Sequence, residues 1–267
     1  MQIKNKNIVA TIQARMGSSR LPGKVMLPLA GIPIIKIIHE RVKQSRLVNM
    51  IVVATSENPK DDCLVEYCQD ENLLVFRGSE DNVFSRVLEC AEFCEADIIV
   101  EVTADCPLVD PFHIDILIDA LGNNDYASNV LIRRWPDGFD IQVYTIDALR
   151  KCDKYYYPIR EHVGWNIAMR TEAFKLIDAC KPSIDNTHPE WGLTLDTAQD
   201  YLLLSKIFEE MKDKFGKEGI LVSAEYLMEY LHQHPELLEI NKEVKRNAVP
   251  KIQSYSYRLW KHWGIER

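Results

Sequence analysis

The first 39 residues contain no aspartate and no glutamate; the first acid is Glu40. This scarcity is local, because the chain holds 40 acids against 32 Lys and Arg, for a net charge of −8. That balance argues against nonspecific DNA or RNA binding. No apolar run approaches the roughly 20 residues of a membrane-spanning helix. The N-terminus has neither a long apolar core nor a small-residue cleavage site, so no signal peptide is expected. None of the seven cysteines makes a CxxC pair. Cys90 and Cys94 lie one helical turn apart, but no second pair or histidine cluster completes a zinc site. Reduced thiols in a cytoplasmic protein are the expectation. There is no internal repeat and no low-complexity linker. Two phosphate-binding signatures are also missing. G-x-G-x-x-G does not occur. A P-loop fails because five residues separate Gly17 from Gly23 and Val25 follows Lys24.

What is present is an ordinary globular composition, 46% apolar and 27% charged over 267 residues. Such a length suits one large α/β domain with an appendage. Strands are predicted at 8–13, 50–54, 73–76, 97–102, 125–129, 139–145, 172–178 and 191–195. Helices are predicted at 33–46, 59–70, 81–95, 111–121, 145–152, 158–169, 197–213 and 222–231. Alternation of the two through the first 120 residues predicts a mostly parallel sheet with helices on both faces, a three-layer α/β/α fold. Ligands of such folds bind beyond the carboxyl ends of the strands. Residues 1–235 read as the domain. Residues 236–267 read as a basic and aromatic extension, with Tyr255, Tyr257, Trp260 and Trp263, that packs on the domain or on a partner subunit.

The acid-free segment carries Lys4, Lys6, Arg15, Arg20, Lys24 and Lys36. Three of these cations fall in the loop after the first strand, "IVATIQARMGSSRLPGK". Gly17 and Gly23 let a ligand approach the backbone, Ser18 and Ser19 add hydroxyl donors, and Arg and Lys match phosphate oxygens. Strand, Gly/Ser/cation loop, then helix is a recurrent phosphate cradle. Two aspartates follow other strands. Asp105 lies in "VTADCPLVDP", where Pro107 stops the strand, and Asp196 lies in "WGLTLDTAQDY". Asp110 is placed to cap the helix from 111, and Thr197 with Asp200 has the form of a capping box. Asp105 and Asp196 are thereby left as candidate ligands for one Mg²⁺ held together with substrate phosphates. In "RGSEDNVFSR", Ser79 reads equally as a helix N-cap or as a contact to a base or ribose.

Taken together, "IQARMGSSRLPGKVMLPLAGIPII", "VVATSEN", "RGSEDNVFSRV", "VTADCPLVDP", "DGFDIQVYTIDAL", "REHV" and "LTLDTAQDY" resemble the cytidylyltransferase family. That family includes the synthetases that activate Kdo and acylneuraminates with CTP. The likeness is closer to its spore-coat polysaccharide branch and covers roughly residues 7–205. It implies a nucleotide-diphospho-sugar-transferase-like fold and attack of a sugar or polyol oxygen on the α-phosphate of CTP, with release of pyrophosphate. Arg15, Arg20 and Lys24 match the triphosphate loop, together with Gly17 and Ser18. Gln13 and Ala14 match the start of the cytosine pocket, and Ser79 a position near base or ribose. Asp105 and Asp196 match the metal-binding carboxylates. Arg15, Lys24 and Asp105 are the expected catalytic set. Arg133, Asp140, Arg160 and His162 are expected to face the acceptor, with an Arg133–Arg134 pair suited to a carboxylate. The same central region implies a homodimer.

Two positions depart from the branch. A basic residue is expected at 101, where the chain has Glu101. Another is expected before the last strand, where it has Gly192. An altered acceptor is the favoured consequence. Two other readings remain open: a glycosyltransferase of similar fold, disfavoured because "DCP" lacks the second acid of a D-x-D motif, and a non-catalytic nucleotide-binding subunit.

Overall fold

The computed structural model describes residues 5–156, 158–183 and 187–246. Among these, the strands in chain order are β1 (Ile8–Gln13), β2 (Pro28–Leu29), β3 (Ile32–Pro33), β4 (Met50–Ser56), β5 (Leu74–Gly78), β6 (Ile98–Thr103), β7 (Tyr126–Ser128), β8 (Gln142–Thr145) and β9 (Leu176–Asp178). The helices are α1 (Ile34–Val42), α2 (Asp62–Asp70), α3 (Val83–Phe93), α4 (Pro111–Leu121), α5 (Ile146–Tyr155), α6 (Trp165–Ala168), α7 (Ala198–Phe215), α8 (Ala224–Gln233) and α9 (Pro235–Leu238). Seven strands form one sheet in the order β5-β4-β1-β6-β8-β7-β9.

Alternation along the strands builds the layers. Ile8, Ala10 and Ile12 of β1 face one side with Val53, Val100 and Val102, and are covered by α1, α4, α7 and α8. Val9, Val52, Ala54 and Ile99 face the other side with Tyr126 and Tyr144, covered by α3, α5 and α6. This is the α/β/α sandwich that the sequence predicts. β1, β4, β5 and β6 are parallel neighbours, and β8 alone runs against its partners β6 and β7. The carboxyl ends of β1, β4, β5, β6 and β7 therefore share one edge with the start of β8. Both caps are also as read. Asp110 accepts from the N–H groups of Phe112 and His113, and Thr197 and Asp200 form a reciprocal capping box.

Four local expectations are corrected. Residues 158–164 are loop, and only Trp165–Ala168 is helical. The buried Asn166 side chain takes the amide and carbonyl of Ile159 and the carbonyl of His162, replacing the bonds a helix would make. Residues 191–195 form no ladder, and Gly192 to Leu195 are buried without alternation. Their partners are single backbone groups, Asp137 on one side and the Asp105 carbonyl on the other. Ser79 does not cap α3. Asn82 does, by accepting from the Ser85 amide, while Ser79 Oγ accepts from the Asn82 amide one turn earlier. The short β2–β3 hairpin was not foreseen. Tyr255, Tyr257, Trp260 and Trp263 lie outside the described residues.

Candidate active site

The loop after β1 is held open by its own backbone and by one buried acid. The Gly23 amide donates to the Met16 carbonyl at 2.9 Å, with Gly23 at φ +70°, a conformation that side chains resist. Asp61 accepts from the Met16 amide at 2.8 Å, and also from Thr55 Oγ1, the Ser56 amide and Ser56 Oγ. Burial pushes the Asp61 carboxyl up, but these donors outweigh it and hold it below its usual range. The turn delivers Lys24 to the carboxyl edge of the sheet. There its Nζ donates to Asp105 Oδ2 at 3.0 Å, the Leu195 carbonyl at 2.7 Å and Asp196 Oδ1 at 3.1 Å. Residues 81 and 172 positions away thus converge on one ammonium. Arg20 Nη2 meets Asp196 Oδ1 at 2.8 Å. Burial alone would lower Lys24. The charges of Asp105 and Asp196 overcome it and hold the ammonium above its ordinary range. Burial would likewise raise Asp105, and the Lys24 charge reverses the direction.

The segment carrying Asp196 is fastened to the segment carrying Asp105. The Leu195 amide and Thr194 Oγ1 both donate to the Asp105 carbonyl, at 2.8 and 3.1 Å. Asp200 Oδ2 accepts from the amides of Asp196 and Thr197. Gln13 ends β1 and the Ala14 amide donates to the Ala54 carbonyl, so both stand where the loop leaves the sheet. Gly17 is exposed and Ser18 accepts from the Leu21 amide. Arg15 is half-buried and makes no ion pair with a described residue. Beside it lies Arg86, whose Nη1 donates to the Ser79 carbonyl at 2.7 Å while its buried Nε has no partner. Burial first, and then the Arg15 charge, lower the Arg86 guanidinium. Neither guanidinium is in an ion pair with a described residue, and the Asp61 and Glu80 charges act on Arg86 from nearby. Sequence reading passed over Asp61 and Arg86. Arg86 left a signal, a cation amid Val83, Phe84 and Val87 on the apolar face of α3.

A cytidylyltransferase family model matches residues 9–156, more than half of the chain. The chain belongs to the cytidylyltransferase family. It is an enzyme class with relatives at full length. The spore coat polysaccharide biosynthesis protein SpsF of Bacillus subtilis is 32% identical over 86% of this chain and 96% of its own. A cytidylyltransferase structure from Leptospira borgpetersenii superposes with a TM-score of 0.80 at 30% identity, covering 91% of this chain and 100% of that one. The 3-deoxy-manno-octulosonate cytidylyltransferase of Geobacter sulfurreducens is 38% identical over 44% of this chain and 46% of its own.

Of the residues expected to face an acceptor, only some are brought together. Arg133 forms a fork with Asp140, at 2.9 and 2.5 Å, and lies 3.7 Å from Asp137. Arg134 turns away to Asp178 at 2.6 Å, so the two arginines are not a free pair. Arg160 and His162 are exposed on the loop before α6. The Arg160 carbonyl accepts from the Phe84 amide, which ties that loop to the start of α3. Glu101 is buried, and its Oε2 accepts from the Tyr144 hydroxyl at 2.8 Å and the Gly164 amide at 2.9 Å. It fastens the loop before α6 to the sheet. A lysine or arginine there would meet two donors with a third.

Other clusters in the cytidylyltransferase serve less well. Asp110, His113 and Glu225 bring ligand atoms within 4.8 Å of one another. Asp110 Oδ1 is already used by the Phe112 amide and Oδ2 by the Ala224 amide, and the buried Arg41 lies close by. A cavity of about 570 Å³ at the opposite edge of the sheet is lined by five acids, Glu92, Glu95, Asp97, Asp125 and Asp147, against two cations, Lys6 and Arg150. That lining repels a triphosphate. Among the described residues no helix is long and apolar enough to cross a membrane.

Proposed function

We propose that the chain is a Mg²⁺-dependent cytidylyltransferase that moves CMP from CTP to an oxygen of a sugar acid, or of a related sugar or polyol, with release of pyrophosphate for surface polysaccharide. One observation carries this reading: the Lys24 ammonium, a point cation, sits 3.0 Å from Asp105 and 3.1 Å from Asp196. Two carboxylates, one just past β6 and one just before α7, already share a cation, as a hard divalent ion would be shared. Asp105 and Asp196 would hold Mg²⁺. When bound, the ion neutralises phosphate charge and favours pyrophosphate as leaving group. Lys24 and Arg20 bind phosphate oxygens, and Arg15 stabilises charge on the transferred phosphoryl group. Gln13, Ala14, Gly17, Ser18 and Ser79 line the cytosine, ribose and phosphate positions. Arg133, Asp140, Arg160 and His162 face the acceptor.

The polysaccharide setting draws on the name of the Bacillus relative, and the sugar-acid class on that of the Geobacter relative. The seven cysteines are free, which suits a reducing cytoplasm where CTP is present. A homodimer through residues 129–141, where Ile132 is 55% exposed, is the proposed assembly, and light scattering measures it.

The test is pyrophosphate release from CTP, with and without Mg²⁺, over a panel of sugar acids, sugars and polyols. Lys24→Ala and Asp105→Asn are each expected to lower turnover on the order of 10²–10³-fold with the thermal transition retained. Full activity in either purified variant would refute the assignment.

A further inference from the structure

Gly192 has no side chain, and the space beside it is filled from the C-terminal segment. A Cβ built there would lie 1.7 Å from Arg246 Nε and 1.8 Å from Arg246 Cζ. Only glycine leaves room for that guanidinium. Arg246 Nη2 donates to Asp200 Oδ1 at 2.7 Å, and Asn241 Nδ2 donates to the same oxygen and to the Gly192 carbonyl, each at 2.8 Å. Asp200 is the residue whose other oxygen holds the Asp196 amide. One buried carboxylate therefore joins residues 241–246 to the backbone at Asp196, the candidate metal ligand just before α7.

The anchored arginine has donors to spare. Arg246 Nη1 and Arg133 Nε are buried and have no hydrogen-bond partner among the described residues. Both arginines line one cavity of about 450 Å³, with Trp191 and Asn241. That volume suits a single small ligand. Its charge decides which kind. Three cations of the lining, Arg133, Lys242 and Arg246, face three acids, Asp137, Glu190 and Glu239. Asp140 and Asp200 stand behind the two arginines and neutralise them further. The lining carries guanidinium, ammonium, amide and carboxylate groups without net positive charge. An anionic group entering it would exchange water for a site already supplied with carboxylates. A hydroxyl group both donates and accepts, so it matches a mixed set of guanidinium and carboxylate.

We propose that this cavity binds the uncharged, hydroxyl-rich part of the acceptor, with Arg246 and Arg133 donating to its hydroxyl oxygens and Asp137 accepting from them, so that the enzyme prefers a neutral sugar or polyol to a sugar acid. The proposal rests on the cytidylyltransferase reading. It makes Arg246 a specificity-determining residue and gives Gly192 its reason.

The test uses the full chain. Steady-state pyrophosphate release is measured with CTP and Mg²⁺ over neutral probes (mannose, glucitol, erythritol) and acidic ones (3-deoxy-manno-octulosonate, N-acetylneuraminate, glycerol 3-phosphate). Saturation-transfer NMR measures binding of the same probes, and calorimetry measures CTP. The expected result is neutral probes preferred at least 10-fold in kcat/KM. Arg246→Met should raise the KM for the preferred probe at least 10-fold, a larger change than in the affinity for CTP. Arg246→Lys should restore part of the loss. Gly192→Ala, which displaces the guanidinium, should reproduce it. A preference for acidic probes overturns the proposal, and so does an Arg246→Met variant with unchanged acceptor KM. If CTP binds but no neutral probe does, the cavity assignment falls while the proposed function stands. If CTP fails to bind, the proposed function falls, and NMR with the neutral probes still decides the cavity.

Discussion

A carboxylate in the middle of a sheet is costly to ionise, and Glu101 shows how the cost is met. Burial drives its carboxyl up, opposed by the Tyr144 hydroxyl, the nearby Gln13 amide and the Gly164 amide. Glutamine keeps an oxygen that can accept from both Tyr144 and Gly164. Glu101→Gln is therefore expected to stay within about 1 kcal/mol of the parent, whereas Glu101→Ala orphans two buried donors and should cost about 2–4 kcal/mol in urea unfolding. Asp137 offers a test by pH. Burial first, then the neighbouring Asp140 charge, raise it from 3.8 to about 6. Its ionised form is thus penalised in the fold relative to the unfolded chain. The penalty is absent below about pH 4 and complete above about 6, so stability falls as pH rises through that window. Asp137→Asn should raise the Tm of the metal-free protein at pH 7.5 and leave it unchanged at pH 4. Asp110 and Asp200 were legible in sequence because capping is local: acceptor and donor lie within three residues. Glu101 and Arg246 were not, because their partners are 63 and 46 positions away.

Among elements, α1 packs its apolar face on the sheet and is tied to two further segments by one polar side chain. Arg41 is fully buried and donates to the carbonyls of Val109, Leu108, Ile220 and Val222. Burial lowers it to about 10, against the pull of Asp110. It fixes the connection that follows Asp105 and the approach to α8 in one stroke. Arg41→Ala strands four carbonyls and should destabilise by about 3–5 kcal/mol in chemical denaturation. Arg41→Lys should recover part of that, because three donors without the planar fork reach fewer of them. Periodicity identified α1, α2, α3, α4 and α7, since their apolar faces alone determine them. It misread 158–164, where a single asparagine side chain outcompetes the helical backbone. It also misread 191–195, where Leu193 and Leu195 alternate with Thr194 in sequence but all three are buried and no neighbouring strand runs alongside.

For the whole molecule, the three layers and the edge that carries the site were legible from strand–helix alternation. The sheet order was not. Position in a sheet depends on crossovers, and the short β7, β8 and β9 have too few residues to declare direction. The convergence of residues 24, 105 and 196 could be anticipated only as chemistry that needs a cation between two acids. That Lys24 itself fills the place emerged from three dimensions.

The reversed strand has a consequence for engineering. Residues 129–141 leave the sheet at Ser128 and return at Gln142, which are paired neighbours on adjacent strands. Paired positions on antiparallel strands stand only about 5 Å apart. A segment with such close ends is a cassette: a replacement need match that short span and supply the buried Trp135, Phe139 and Ile141. The exchange does not cut β1, β4 or β6, nor the loop that carries Lys24. On the function proposed above, it would change the acceptor side and leave the nucleotide side as it stands.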